Sequence, residues 1–244
     1  MVRKMDDENK YRPPKPSAGD AAHAIVRAGL SNIPYVGVAA SELLSAIVIP
    51  PLERRRNEWM KEIGEALRKV EAQKGIALEA LQEKEEFIDV VIEATQIAIK
   101  ATKQEKREAL KNAILNSALP NSLEESLQKM FLSFIDTLTV WHLRLLDLFN
   151  DPPAYIKKHN LQFGSISMGA MSLLVENAFP ELQGRRNVYD LIWKDLYSRA
   201  LVNTDGLHTM MTRSGILAKR TTEIGELFLG YIKSPLEEQT TASG

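Results

Sequence analysis

Apolar positions recur every three to four residues over most of this chain, and proline or glycine interrupts them where one run gives way to the next. Trp59, Ile63, Ala66, Leu67 and Val70 predict an amphipathic helix that opens after Pro51 and stops at Gly75. Its other face is charged, with Arg54, Arg55, Arg56, Glu58, Lys61, Glu62, Glu65, Arg68 and Lys69. A second helix is predicted over 77–101, where Phe87, Ile88, Val90, Val91, Ile92, Ala94, Ile97, Ala98 and Ile99 cover more than one face and place it centrally in a bundle. A third covers 104–118 and ends before Pro120. Ser122 and Glu125 have the spacing of a capping box, which predicts a helix start there. The stripe Leu127, Met130, Phe131, Phe134, Leu138, Trp141, Leu145 and Leu148 then predicts one uninterrupted helix over 123–149.

Asp151-Pro152-Pro153 combines a cap with a break, and the rhythm shortens beyond it. Helices are predicted at 153–160, 168–178 and 186–201. Within 206–219, Thr209, Thr212, Ser214 and Gly215 predict two short strands around a turn at Arg213-Ser-Gly215. A last helix covers 222–232. Residues 1–18 mix charges with Pro13, Pro14 and Pro16 and read as a disordered arm without the apolar core of a secretory signal. Residues 234–244 read as a flexible tail.

The segment 24–52 carries only Arg27 and Glu42 as charges. Gly29, Pro34 and Gly37 break it, leaving a clean stretch at 35–49 that would rise only about 22 Å as a helix. A spanning helix needs roughly 20 apolar residues. Two readings follow: a helix buried in the bundle, or one that meets a bilayer or a partner through Ile33, Tyr35, Val36, Val38, Leu43, Leu44 and Ile47.

Composition narrows the field. The chain has 244 residues, 31 Lys plus Arg against 32 Asp plus Glu, and no cysteine. A net charge of −1 supplies no global field for nucleic acid, so a binding patch would be local. Without cysteine there are no disulfides, thiolate metal sites or thiol nucleophiles, and a cytoplasmic, if membrane-associated, location suits the chain. His23, His142, His159 and His208 lie too far apart for a helical metal signature. Glu86, Asp89 and Glu93 share a helical face, and they read as a solvated acidic surface. Gly164-Ser-Ile-Ser-Met-Gly169 lacks a nucleophile elbow, a P-loop lysine and dinucleotide-loop spacing. The reading is therefore not an enzyme, with no catalytic residue, metal, cofactor or small-molecule substrate implied.

The order helix, helix, helix, hairpin, helix in about 80 residues, with particular strings inside it, resembles a winged helix-turn-helix. Asp195-Leu-Tyr-Ser-Arg-Ala-Leu201-Val202 resembles the end of a recognition helix, and Thr222-Glu-Ile-Gly225-Glu-Leu-Phe-Leu229 the opening of a post-wing helix. Ala200 stands where such proteins often carry glycine. The apolar Gly/Pro segment, the middle helices and the Thr222–Leu229 ending are together similar to bacterial proteins of the Abi-alpha, abortive-infection type. That resemblance implies a role in phage defence with no assigned chemistry.

The expected fold is thus mainly all-α, with an N-terminal helical bundle at 19–150 and a winged-helix-like domain with a short β-hairpin at 153–233. The expected function is that of a non-enzymatic bacterial interaction protein acting through protein or membrane contacts. Its leading partner is another protein or a second copy of itself. The alternative is a winged-helix DNA-binding regulator reading duplex through Arg186, Asn187, Lys194, Arg199, Arg213, Lys219 and Arg220. Between Arg185 and Lys233 eight basic residues face five acidic ones, so the excess is local and small. For the membrane version, wild type is expected to pellet with liposomes and a Val38→Asp variant to stay in the supernatant. Absence of both from the pellet removes that version.

Overall fold

The computed structural model describes residues 38–164 and 167–236, with side chains from residue 51 onward in those ranges. The fold is mainly helical, with one small two-stranded antiparallel sheet. It divides into two compact units, residues 1–60 and 61–244. Helix α1 (Val38–Lys74) carries the chain from the first into the second. Its backbone stays helical through Pro50 and Pro51, where the sequence pattern predicted a stop. Proline's φ is compatible with a helix; its missing amide donor and the clash of its ring with the carbonyl four residues back weaken or kink a helix without always ending it. Gly75, at φ +67°, does end it, its amide donating to the Glu71 carbonyl (2.9 Å).

The second unit is built from α2 (Leu78–Leu81), α3 (Glu85–Lys100), α4 (Gln104–Ser117), α5 (Glu125–Thr137) and α6 (Val140–Asn150). The helix predicted over 77–101 is interrupted before α3, where Lys84 reaches across to the Ser117 carbonyl (3.2 Å) and Ser122 Oγ (3.1 Å). Ser122 therefore serves Lys84 rather than a capping box; α5 begins two residues later than expected, with Glu124 at its N-cap and no side-chain cap. The predicted 123–149 spine is also two helices. Leu138 and Thr139 are extended, and the capping box belongs to Thr139 and His142, which open α6. The apolar stripe runs on across this corner, with Phe131, Leu138, Leu145 and Leu148 all fully buried, so periodicity alone could not show the break.

Beyond Asp151, whose carboxylate accepts from the Ala154 amide (3.0 Å), come α7 (Pro152–Lys158), β1 (Met168–Gly169), α8 (Met171–Ala178), a 3₁₀ turn (Pro180–Leu182) and α9 (Arg186–Ser198). They are followed by β2 (Met211–Thr212), α10 (Arg213–Ile216) and α11 (Glu223–Ile232). Strand β2 pairs not with a neighbour in a hairpin but with β1, Met168 opposite Thr212 and Gly169 opposite Met211. The predicted turn at Arg213-Ser-Gly215 is instead the helical turn α10. Thr212 Oγ1 caps it by accepting from the Gly215 amide (3.3 Å), and Arg213 is drawn back to the carbonyls of Phe163 and Gly164.

Asp151 does not divide the packing. The Phe131 ring of α5 meets Phe228 of α11 at 5.3 Å and Tyr231 at 5.8 Å. Asn112 and Asn116 of α4 donate to the carbonyls of Ile232 and Tyr231, each at 2.9 Å. Residues before and after the Asp-Pro-Pro break share one core, within the single unit 61–244.

The two strings that resembled a winged helix have a common structural cause. Helix α9 ends in a Schellman motif: the Leu201 amide donates to the Leu196 carbonyl (3.0 Å) and the Ala200 amide to Tyr197 (2.9 Å), with Leu196 and Leu201 fully buried. This needs a left-handed residue, and Ala200 supplies it at φ +56°. Thr222 caps α11 by accepting from the Gly225 amide (3.0 Å) while its own amide donates to the Leu201 carbonyl (3.1 Å). A Cβ on residue 225 would stand 2.3 Å from that same carbonyl oxygen. The Thr-x-x-Gly spacing thus lets α11 close onto the end of α9. Gly225→Ala is expected to lower the unfolding free energy by about 3 kcal/mol despite alanine's better helix propensity. Ala200→Gly is expected to raise it by up to about 1 kcal/mol, the left-handed penalty outweighing glycine's added chain entropy. Urea denaturation followed by circular dichroism measures both.

Candidate functional site

Helix α9 is amphipathic, with Tyr189, Ile192, Trp193 and Leu196 buried. Trp193 is closed in by Phe149 (ring centroids 4.8 Å apart) and donates from Nε1 to the Thr204 carbonyl (2.9 Å). The opposite face carries Asn187, Leu191, Lys194 and Ser198 at spacings of four, three and four. Leu191 is 70% exposed, the largest exposure among the large hydrophobic side chains of the described residues. It stands at the edge of a cleft of about 690 Å³ between α9 and the start of α6. Trp141, Val188 and Ile192 give the cleft apolar walls, and Lys194 and Asn187 lie on its rim.

Two chains of polar contacts fix α9. Asp195 accepts from Arg199 Nε on one oxygen (3.1 Å) and from His142 Nε2 on the other (3.2 Å). Asp190 repeats the arrangement, with Arg186 Nε at 3.3 Å and His208 Nε2 at 2.6 Å. In each case an acid on α9 takes an arginine one turn away on its own helix and a histidine from another element. His142 Nδ1 accepts from the Thr139 amide (3.1 Å) and lies 2.8 Å from Thr139 Oγ1, which puts the ring proton on Nε2 facing Asp195. Thr139, His142 and Asp195 line the cleft as a hydroxyl–imidazole–carboxylate chain, but the hydroxyl also caps α6, so the chain anchors the α5–α6 corner to α9.

These contacts decide the fate of the residues the sequence nominated for DNA. Arg199 is held by Asp195 and lies over the Phe134 ring at 5.2 Å, while Arg186 pairs with Asp190 at the surface, its side chain 64% exposed. Lys219 pairs with Glu226 at 2.5 Å. Arg213 binds the 163–164 backbone and stacks on Phe163, while Arg220 donates to the Gly215 carbonyl (2.6 Å). Asn187 and Lys194 are exposed and stand together on the cleft. The seven residues are therefore spread over α9, α10 and the approach to α11, each of the last three cations tied to its own surroundings.

Of the membrane-contact candidates, Ile33, Tyr35 and Val36 lie outside the described residues. Val38, Leu43, Leu44 and Ile47 fall on the helical backbone of α1, their side chains outside the description. Among the described residues no helix is long and apolar enough to cross a membrane. None of their His, Asp and Glu side chains gather in threes able to hold a metal ion. Glu93 is held above the usual carboxylate range by burial, and Asp89 lies 3.6 Å from Lys129.

Sequence reasoning passed over Leu191 and Asp195 as binding-surface residues and read Trp141 as core, although Trp141 is half-buried. One signal was available: Leu191 falls among Asn187, Lys194 and Ser198 rather than on the apolar stripe. Comparisons with protein-family models, with curated proteins and with solved structures give no match.

Burial holds the His142 imidazole below its ordinary pKa; Asp195 opposes this, and Arg199 and Lys106 reinforce it. A folded pKa below the unfolded one means the folded state binds the proton less readily. The stability it contributes is complete above the unfolded value and is lost as pH falls below it. Urea midpoints are expected to drop more in wild type than in His142→Gln between about pH 7.5 and about pH 5.5. Equal drops would remove His142 as the source.

Proposed function

We propose that the chain is a non-enzymatic bacterial interaction protein whose contact surface is the cleft between α6 and α9. The observation that carries this reading is the outer face of α9: an exposed leucine above apolar walls, with a lysine on the rim. A duplex reader needs cations for phosphates and polar groups for base edges. Here Arg186, Arg199 and Lys219 are paired with acids of the same chain, and the most exposed large hydrophobic side chain among the described residues is Leu191. A protein surface presenting apolar side chains beside a carboxylate suits the cleft, the carboxylate meeting Lys194.

The order α7, β1, α8, α9, β2, with β1 on β2, supports reading this part as a winged-helix-like module whose wing is reduced to α10, used for protein contact. The role in phage defence rests on the likeness to Abi-alpha proteins. Fluorescence anisotropy with random duplex at low salt separates the readings. No salt-dependent binding is expected, and Lys194→Ala should change nothing. Binding whose logarithm falls with log salt by about 0.9 per phosphate neutralised would overturn the proposal in favour of a DNA-binding regulator.

A further inference from the structure

A second exposed apolar surface lies on α3. Ile88 is 38% and Ile92 51% exposed, and they border an apolar groove of about 440 Å³ whose walls include Leu78, Leu81, Phe87 and Val91. Its surroundings are the electrical opposite of the α9 cleft. Glu79, Glu83, Glu85 and Glu86 are all exposed around the start of α3, Asp89 beside them is paired with Lys129, and the lysine among them, Lys84, is turned inward to Ser117 and Ser122. On α9 the acids are the neutralised partners: Asp190 and Asp195 each hold an arginine and a histidine, leaving Lys194 on the rim and Arg185 exposed at the helix entry.

We infer that the occupant of the α6–α9 cleft is the α3 face of a second copy of this chain. The inference rests on the protein-contact reading above and names the partner. Each surface has a projecting aliphatic ridge and a recess beside it, so Ile92 can enter the cleft next to Leu191 while Leu191 enters the groove next to Ile92. The acidic border of one then meets the basic rim of the other. Pairing like faces is disfavoured: α3 against α3 brings four glutamates onto four, and α9 against α9 brings Lys194 onto Lys194. The contact is consequently heterologous. Each copy that docks keeps one unused face, and association continues beyond the dimer into a ring or a filament.

Sedimentation velocity on the full chain tests this at about 10 to 100 μM, the range in which a contact of micromolar Kd is populated. Wild type is expected to grow past a dimer with concentration. Leu191→Asp and Ile92→Asp should each be monomeric, and because both side chains are exposed, both variants should keep the wild-type circular dichroism spectrum. Mixed in equal amounts they should form a dimer and nothing larger, since each retains the face the other has lost. A wild type that stays monomeric throughout overturns the inference, as does a mixture that stays monomeric or a dimer untouched by either substitution. Failure here leaves the protein-contact reading standing, because that reading falls on duplex binding, a separate measurement.

Discussion

Helix α11 is gripped at both ends by groups far from it in sequence, and the arrangement of the second unit follows from that grip. At its N-terminus Thr222 and the bare Cα of Gly225 let the Leu201 carbonyl come close enough to accept the Thr222 amide. At its C-terminus Asn112 and Asn116 take up the carbonyls that the last turn leaves unpaired. Between these ends Phe228, Leu229 and Tyr231 are buried, with the phenol of Tyr231 pushed above its ordinary pKa by that burial. One short helix thereby joins α4 and α5 to the end of α9, making a single body of segments that the Asp-Pro-Pro break would have parted.

The same grip sets the exposure of α9. Leu201 is held by α11 and Trp193 is closed in by Phe149, contacts that set the rotation of the helix about its axis, and the polar chains through Asp190 and Asp195 hold it from its flanks. The half-buried pairs, His142–Asp195, Arg199–Asp195 and His208–Asp190, fix orientation more than they add stability, because desolvation offsets much of their attraction, and the Arg186–Asp190 pair lies at the surface. Their consequence is electrical. They pair the acids of α9 with arginines and histidines of the same unit, so the acids no longer oppose Leu191 and Lys194, which the helix presents to a partner.

Elements were legible in the chain wherever the reason for them was local. Asp151 with Pro152 announced α7, Gly75 announced the end of α1, and apolar positions recurring every three to four residues announced a helical protein. The strings around Ala200 and Gly225 were also visible, although what made them recognisable is a close approach of backbone to backbone. The corner at Leu138 and Thr139 was hidden because both sides of it are equally apolar. Ser122 looked like a cap because its real partner, Lys84, lies 38 residues away. Strand β2 looked like half a hairpin because nothing near it in sequence betrays β1 as its mate.

Residue order by itself determined the helical class, the approximate course of most of the helical segments, the lack of cysteine chemistry, and which side chains carry charge. All of these follow from interactions within one or two turns or from composition, which the chain displays directly. Only the folded form decided which charges cancel one another, which apolar residues are left outside, and where one compact unit gives way to the next. Those depend on distances between residues tens of positions apart, set by how helices pack. No local pattern encodes that Asp195 answers His142, and Leu191 owes its exposure to the same packing.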